Sequence, residues 1–378
     1  MYIIVDTPDI AANKLNSDLD KIHSWSSKWL VDFNPAKTES VLFSRKRNQQ
    51  QHPQLFLNNT IINEVNNHRH LGLILSCDLS WDNHVDNIIS KVVPKLNVLR
   101  KLKFQLDRVS LRKIYFSHIR PVLEYADVVW DFLPVRLLRR LENINLEARI
   151  ITEATKYVSH QSLYSELNLE SLSDRRRKHR LILFYKIVNG LTPSYLTELL
   201  PSQHQDTHTY PTRSRSNFMH LHSRTNLYRN SFFPQTVRDW NNLPEYIRSI
   251  PSLSSFKSYL FKDKSEPPYY NIGNRKSQIH HARLRMNCSP LKSTLFQKNL
   301  VESPFCSCNS NIVETTKHFL LDCPKYSSIR NSTLDLLPYD TNLETLLYGN
   351  ENLSCDENSI IFRSVQKYIH LSKRFEQN

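Results

Sequence analysis

Apolar residues near the start of the chain recur at the spacing of an α-helix. Thr7-Pro8 supplies an N-cap and a proline at the first helical position, and apolar side chains then follow at mostly helical spacing from Ile10 to Trp29. The pattern predicts one amphipathic helix in this segment.

The pattern that follows the first helix predicts a small β part. Turn-forming residues separate short runs of apolar and β-branched residues, which is typical of strands joined by tight turns. The predicted elements are a turn over 34–38, a strand over 40–44, a hairpin with strands 55–57 and 61–62 around 58–60, and a further strand over 69–75.

From Trp81 onward the apolar period changes to about 3.6 residues, which predicts helices. Pro94 either kinks the first of these helices or opens a second one. A strongly basic helix begins at Ser173-Asp174 and ends at Gly190. The predicted helices cover 81–102, 109–119, 122–130, 135–153, 173–190, a segment from about 231 and one around 256–261.

Composition predicts the organisation of the chain. Residues 201–215 have no apolar rhythm and are typical of a linker or mobile loop, and Glu266-Pro267-Pro268 marks a further boundary. Only four glycines occur, which favours helices over an all-β fold rich in tight turns. We predict a mainly α chain with a small N-terminal α+β part and a small zinc-binding C-terminal module. The expected domains are 1–78, 79–200, 201–265 and 266–378.

The chain carries an excess of positive charge. Lys and Arg number 50 against 36 Asp and Glu, which gives a net charge of +14 and a pI near 9.4. Such a field attracts polyanions, so nucleic acid is the expected partner. Basic charge that serves only solubility is the alternative.

Two predicted helices carry cations that could neutralise phosphates. A solvated helix face is the alternative for either of them. The candidates are Lys91, Lys95, Arg100, Lys101 and Lys103 on one helix, and Arg175, Arg176, Arg177, Lys178 and Arg180 on the other.

Four soft metal ligands lie close together near the C-terminus. They are Cys306, Cys308, His318 and Cys323. Three thiolates and one imidazole suit a closed tetrahedral zinc site. Since protein side chains fill all four positions, the zinc would be structural and not catalytic. Four unrelated side chains are the alternative.

No apolar run is long enough to span a bilayer, and Tyr2 to Val5 is too short for the core of a signal peptide. The six cysteines do not have the distribution of a disulfide framework. We therefore expect an intracellular protein of the cytoplasm, the nucleus or both, with no membrane partner.

Little in the sequence points to catalysis. Two-metal nucleotidyl transfer needs several carboxylates around magnesium. Tyr125-Ala126-Asp127 resembles the aromatic-Ala-Asp-Asp turn of reverse transcriptases, but Val128 stands at the second Asp position and the stretch lies in a helical pattern. A structural role is therefore favoured. No serine elbow and no Gly-rich phosphate loop occurs in the sequence.

Several motifs together resemble non-LTR (LINE, jockey-like) retrotransposon reverse transcriptases. Those of the late palm and thumb are Asn34-Pro35-Ala36-Lys37-Thr38-Glu39 with Leu42-Phe43, His70-Leu71-Gly72, Leu79-Ser80-Trp81, His84, and residues 120–126 with Trp130. Residues 185–190, Trp240-Asn241 with Leu243-Pro244, and Phe256-Lys257 look like the helical region that follows the polymerase. The Cys and His cluster is similar to the C-terminal zinc knuckle of these elements.

The resemblance implies roles for a few residues. Lys37 would lie near the phosphates of the incoming nucleotide, and the Leu71-Gly72 turn would belong to the hairpin that grips the primer end. A plain turn lysine and a bulge in a strand are the alternatives. Residues 1–78 would be a partial palm.

The resemblance also implies an incomplete enzyme. In the family, a strand like that at the start of this chain follows the catalytic Asp pair, so the chain is expected to begin just past that pair and to contain no catalytic residue. Magnesium would then be required only by the complete polymerase. We expect a nucleic-acid-binding C-terminal fragment of an RNA-directed DNA polymerase, with RNA, DNA and the missing polymerase portion as partners. A truncated gene model of an active reverse transcriptase and a basic protein-interaction scaffold are the alternatives.

Overall fold

The computed structural model describes residues 2–44, 53–207, 215–261, 266–309, 311–339 and 341–376. The chain forms two compact units, residues 1–90 and residues 91–378. None of the helices in the described ranges combines the length and the apolar character that a bilayer crossing requires.

The first unit begins with helix α1 (Pro8–Trp29), as predicted. The Thr7 hydroxyl accepts a hydrogen bond from the Ile10 N–H at 3.5 Å, and the helix ends at Leu30, whose φ is 55°. Asn16 joins this helix to the strands, because its side chain donates to the Gln54 carbonyl at 3.2 Å and accepts from the Phe56 N–H at 3.0 Å. The buried core here consists of Ala12, Leu19, Leu55, Leu57 and Ile62.

Three two-stranded sheets follow α1. Strand β1 (Glu39–Ser40) pairs in parallel with β4 (Asn63–Glu64), β2 (Phe56–Leu57) pairs antiparallel with β3 (Thr60–Ile61), and β5 (Asn67–His70) pairs antiparallel with β6 (Leu73–Ser76). Asn58 and Asn59 join β2 to β3 with φ values of 49° and 55°, the conformation of a two-residue type I′ turn. The predicted hairpin is thus confirmed.

The turn predicted at 34–38 is confirmed as a short 3-10 helix (Pro35–Lys37) capped by the Asn34 side chain. Two strand predictions are wrong. The strand predicted over 40–44 ends at Ser40. The segment 69–75 is a hairpin and not a single strand, because Leu71 and Gly72 reverse the chain with φ values of 47° and 87°.

Helix α2 (Asp82–Leu102) runs through Pro94 as one helix. The helix predicted over 109–119 is longer than expected: α3 (Arg108–Ile114) continues through a π-helical turn (Tyr115–Ile119) into α4 (Arg120–Leu123). The prediction of one helix over 122–130 is wrong, because the chain breaks at Ala126 (φ 50°) before α5 (Asp127–Trp130). Pro121 lies at the start of α4, where a missing N–H disturbs a helix least.

Beyond α5 the described part of the chain is mainly helical, which confirms the mainly α fold class. The remaining α-helices of the described residues are α6 (Val135–Leu146) with a 3-10 extension (Glu147–Ile151), α7 (His160–Leu167), α8 (Leu172–Val188), α9 (Ser194–Thr197), α10 (His204–Thr207), α11 (Asn226–Arg229), α12 (Phe232–Asn241), α13 (Glu245–Arg248), α14 (Leu253–Leu260), α15 (Arg275–Arg285), α16 (Lys292–Phe296), α17 (Ser327–Asn331), α18 (Leu343–Tyr348) and α19 (Cys355–Ser372).

Aromatic rings fill the core where α8, α12 and α14 pack together. Tyr185 stacks on Phe256 with ring centroids 4.6 Å apart, and Trp240 lies 5.2 Å from Phe184. Trp240 is buried. It is therefore a core residue, and its ring is not available to a nucleic-acid base.

A buried ion network lies on α3, α7 and α15. Glu166 accepts from Arg108 at 2.7 Å and from Arg285 at 2.6 and 2.8 Å, and Arg108 also pairs with Glu266. Burial raises the pKa of the Glu166 carboxyl, but Arg285 and Arg108 outweigh burial and hold this pKa below its usual value. The domain boundary near 266 stays a prediction, although Glu266 is itself part of this network.

Candidate metal centre and nucleic-acid interface

The four predicted zinc ligands converge. The ligand atoms of Cys306, Cys308, His318 and Cys323 all lie within 4.8 Å of one another. The Cys306 and Cys323 sulfurs are 3.8 Å apart, and the Cys308 sulfur is 3.2 Å from Nε2 of His318. In the described part of the chain, this is the one group of three or more His, Cys, Asp or Glu side chains that could hold a metal ion.

Local backbone structure brings the two halves of this cluster together. Cys306 follows a bridge between Phe305 and Val313, and its N–H donates to the Ile312 carbonyl at 2.7 Å. His318 opens a single π-helical turn (His318–Asp322), and the N–H of Cys323 closes that turn on the His318 carbonyl at 2.7 Å. The imidazole and the last thiol therefore project from one tight turn.

The C-terminal core holds this turn in place. Phe319 packs on Tyr326, Tyr368 and Phe375, with ring centroids 5.3 to 5.4 Å apart. Arg330 donates to the Cys323 carbonyl at 2.7 Å and to the Leu320 carbonyl at 3.0 Å. The ligand-bearing backbone is thus fixed by packing and by hydrogen bonds that do not involve a ligand atom.

The arrangement fits a small soft cation. Tetrahedral zinc with Zn–S bonds of about 2.3 Å and Zn–N bonds of about 2.0 Å places two sulfurs about 3.8 Å apart and a sulfur about 3.5 Å from a nitrogen. The sulfur pair at 3.8 Å matches, and the sulfur–nitrogen pair is shorter by a few tenths of an ångström. Burial raises the pKa of the Cys323 thiol to about 12, so metal binding at this cluster would displace a proton.

The predicted cations on α2 do not form one stripe. Lys91 and Arg100 are nine residues apart, which at 3.6 residues per turn places them on opposite sides of the helix. Arg100 pairs with Glu147, Lys103 lies 3.9 Å from Glu153, and Lys95 donates to the His118 carbonyl at 3.0 Å. Lys91 and Lys101 are exposed and have no ion pair with another described residue.

The predicted cations on α8 face carboxylates from other segments. Arg176 and Arg180 are buried, and both pair with Asp131. Arg175 makes two hydrogen bonds of 2.8 Å to Glu124, and Lys178 pairs with Glu170. Arg177 is exposed and lies 3.4 Å from Asp239. These intramolecular pairs leave the α8 cations less available to phosphates than those of α2.

The positive charge of the chain lies entirely in the second unit. Residues 1–90 carry 8 Lys or Arg and 10 Asp or Glu, whereas residues 91–378 carry 42 and 26. Residues 91–120 alone carry 9 Lys or Arg and 1 Asp or Glu. Exposed Lys113 belongs to this stretch, has no ion pair with another described residue, and was not singled out from the sequence. Counting charge in a sliding window would have found it.

The residues for which the resemblance implies contacts with the incoming nucleotide and the primer lie in the first unit. Lys37 is exposed at the end of the 3-10 helix, and Leu71 and Gly72 form the turn between β5 and β6. Glu39 and His68, which flank these sites, are joined by a hydrogen bond of 2.8 Å between the Glu39 carboxylate and Nδ1 of His68. The Lys37 turn is thus tied to the β5–β6 hairpin, while the assigned roles stay predictions.

The Tyr125-Ala126-Asp127 stretch has a structural role. Asp127 is buried at the start of α5, and its carboxylate lies 2.7 Å from Nδ1 of His179. One carboxylate paired with a histidine on α8 does not provide the several oxygen ligands of a two-metal site.

The chain is similar to known transposon polymerases. No protein-family model matches it. A relative in Drosophila melanogaster named "Probable RNA-directed DNA polymerase from transposon BS" is 24% identical over 193 residues, which cover 47% of this chain and 21% of the relative. Its X-element counterpart is 24% identical over 173 residues, 45% of this chain and 19% of the relative. The RNA-directed DNA polymerase from mobile element jockey is 24% identical over 169 residues, with 44% and 18% covered.

These matches confirm the resemblance to non-LTR retrotransposon RNA-directed DNA polymerases over somewhat less than half of the chain. The chain spans about a fifth of the length of the curated relatives it matches. The likeness of the Cys and His cluster to a retrotransposon zinc knuckle stays a prediction.

Proposed function

We propose that this chain binds RNA or DNA as part of a retrotransposon RNA-directed DNA polymerase, through the basic surface of residues 91–378. The observation that carries the proposal is the charge imbalance, 42 Lys or Arg against 26 Asp or Glu in this unit, in a chain whose curated relatives are polymerases. Such a field draws in a polyanion, and counterion release would then provide much of the affinity.

The phosphate contacts are assigned to exposed lysines on α2 and α3. Lys91, Lys101 and Lys113 lie where cations outnumber acids by 9 to 1 over residues 91–120. Each is exposed and without an ion pair to another described residue, so binding a phosphate breaks no existing contact. Most of the arginines in this stretch already pair with carboxylates, Arg120 with Glu124 for example.

Zinc is the metal that we assign to Cys306, Cys308, His318 and Cys323. Three sulfurs and an imidazole nitrogen that lie within 4.8 Å of one another favour this ion over harder cations. With four protein ligands the ion would have no open position for substrate, so its role would be to hold the C-terminal module together.

We further propose that the chain by itself does not join nucleotides. Nucleotidyl transfer uses magnesium held by several carboxylates. The one cluster of potential metal ligands in the described ranges consists of thiols and an imidazole. A primer-extension assay with magnesium should therefore give no product, and magnesium-dependent extension by the purified chain would overturn this part of the proposal.

Salt-dependent binding tests the main proposal. We compare the intact chain with a triple variant, Lys91→Gln, Lys101→Gln and Lys113→Gln, on one labelled RNA and one labelled DNA between 50 and 200 mM salt. Each lost phosphate contact should lower the slope of log affinity against log salt by about 0.7 to 0.9. The triple variant should therefore bind more weakly, with a slope whose magnitude is smaller by about 2 to 3.

A matched control removes the same charge from the first unit. The variant with Lys14→Gln, Lys21→Gln and Lys28→Gln loses three positive charges on α1, in the acidic part of the chain. It should bind like the intact chain. Equal weakening in both triple variants would show that only net charge matters, and an intact chain without salt-sensitive binding would sink the proposal.

A further inference from the structure

An exposed aromatic ring between two lysines marks a second feature of the basic unit. Tyr157 is 54% exposed. The Nζ atoms of Lys156 and Lys298 lie 5.2 Å and 5.4 Å from the centroid of its ring. Lys298 follows α16, so two segments far apart in sequence converge on one surface ring. Neither lysine has an ion pair with another described residue.

A second exposed ring lies in the basic unit. Phe104 is 80% exposed just beyond α2, and Nζ of Lys103 lies 4.7 Å from its ring centroid. The Lys103 ammonium is also 3.9 Å from the carboxylate of Glu153, which lies three residues before Lys156. Glu153 therefore joins the Phe104 region to the Tyr157 region.

An arginine on α15 donates hydrogen bonds to the main chain of the loop that carries Tyr157. Glu153 has a φ of 50°, and its carbonyl accepts from Arg283 at 2.7 and 3.1 Å. Helix α15 thus fixes the loop by a main-chain contact. The Glu153 carboxylate lies 3.9 Å from the Lys103 ammonium and 4.0 Å from the Arg283 guanidinium.

Exposed rings beside cations have the chemistry that single-stranded nucleic acid requires. Every base has a face that can stack on an aromatic side chain, and nearby cations take the phosphates. In a duplex the base faces are already stacked on one another, so only an unpaired strand can use such rings. A lysine over a ring can move to a phosphate while a base takes its place.

We propose that Tyr157 and Phe104 stack unpaired bases of a single RNA or DNA strand, and that Lys156, Lys298 and Lys103 bind its phosphates. This inference rests on the proposed nucleic-acid binding and names the form of nucleic acid that the basic unit prefers.

Three labelled probes of equal length test this surface: a poly-dT strand, the same strand with abasic residues in place of thymidines, and a duplex. Tyr157→Ala and Phe104→Ala should each weaken poly-dT binding about tenfold. Binding of the abasic strand and of the duplex should change by less than about twofold, since those probes offer phosphates without free base faces. Tyr157→Phe should retain affinity, because it keeps the ring.

Tyr195→Ala is the matched control, since Tyr195 is 62% exposed elsewhere in the unit. It should leave all three probes unaffected. If the alanine variants weaken the abasic strand and the duplex as much as poly-dT, or weaken none of them, the base-stacking inference is wrong while nucleic-acid binding stands. If the intact chain binds none of the probes, the proposed function itself fails.

Discussion

Arg374 donates from Nε and Nη2 to the two carboxylate oxygens of Glu314, each at 2.7 Å, across 60 residues of chain. Glu314 also accepts the Lys292 N–H at 2.7 Å and lies four residues before His318. Burial raises the pKa of the Glu314 carboxyl, but the hydrogen bonds from Arg374 and the Lys292 N–H, together with the charges of both residues, hold this pKa below its usual value. The residue pair therefore ties the segment after α19 to the candidate metal centre.

Removing one partner of this pair should destabilise the C-terminal module. Arg374→Met keeps much of the side-chain volume but leaves the carboxylate of buried Glu314 without its cation, which should cost about 3 kcal/mol. The measurement is the free energy of unfolding by denaturant. Lys367→Met is the control, because Lys367 is exposed on α19, and it should change stability by less than about 0.5 kcal/mol. Similar losses of unfolding free energy in the two variants would contradict a stabilising role for the Arg374–Glu314 pair.

Removing one ligand should abolish metal binding at the Cys and His cluster. Cys323→Ser deletes a thiol that lies 3.8 Å from Cys306, and a hydroxyl is a poor substitute for a soft ligand. The intact chain should carry about one zinc per molecule after gentle purification, and the variant should carry much less. Elemental analysis gives the zinc content.

The control for this prediction is Cys355→Ser. Cys355 is exposed at the start of α19 and outside the cluster, so its loss should leave the zinc content unchanged. A strong chelator should lower the thermal stability of the intact chain and leave the melting curve of Cys323→Ser unaffected. An intact chain with less than about half an equivalent of zinc would refute the assignment.

Local signals were enough to predict several elements. Thr7-Pro8 and the apolar spacing located α1, and Asn58-Asn59 located the β2–β3 turn, because caps and two-residue turns depend on adjacent residues. The four soft ligands could be found for the same reason, since they lie in one short segment. The apolar pattern alone predicted one strand over 69–75 and missed the turn that the resemblance implied at Leu71-Gly72, because leucine seldom adopts a positive φ.

Long-range pairing explains what the sequence could not reveal. The basic run on α8 has the same composition as a phosphate-binding stripe, yet Arg175 pairs with Glu124 and Arg180 with Asp239, at separations of 51 and 59 residues. Only the fold brings these carboxylates to the helix. The exposed ring of Tyr157 was missed for a similar reason, since Lys298 is far from it in sequence.

Neutralising Glu166 should be among the most destabilising single changes in the second unit. Glu166→Gln would leave the buried guanidiniums of Arg108 and Arg285 without their shared carboxylate, at a cost of about 3 to 5 kcal/mol. Glu170→Gln is the control: Glu170 pairs with Lys178 near the surface and should cost less than about 1 kcal/mol. Denaturant unfolding of both variants at neutral pH measures the difference, and equal costs would contradict the importance of the buried network.

Two adjacent histidines on α15 should make the fold sensitive to mild acid. Burial, together with the charges of Arg283 and Lys276, lowers the pKa of His280 to about 4. Burial and the charge of Arg285 lower the pKa of His281 as well. A group whose pKa is depressed on folding stabilises the fold above its unfolded pKa, about 6.5 for histidine, and loses that contribution as the pH falls.

The loss should therefore begin below about pH 6.5 and continue towards pH 4, at up to about 1.4 kcal/mol per pH unit for each histidine. His280 stacks on Phe375 with ring centroids 5.1 Å apart, so His280→Phe can keep the stacking while removing the proton uptake. This variant should lose stability less steeply between pH 6.5 and 4.5, and the exposed control His220→Gln should follow the intact chain. Carboxyls whose pKa is depressed, such as that of Glu166, lose their contribution only below about pH 4.5. If His280→Phe does not change how steeply stability falls between pH 6.5 and 4.5, His280 is not the source of that loss.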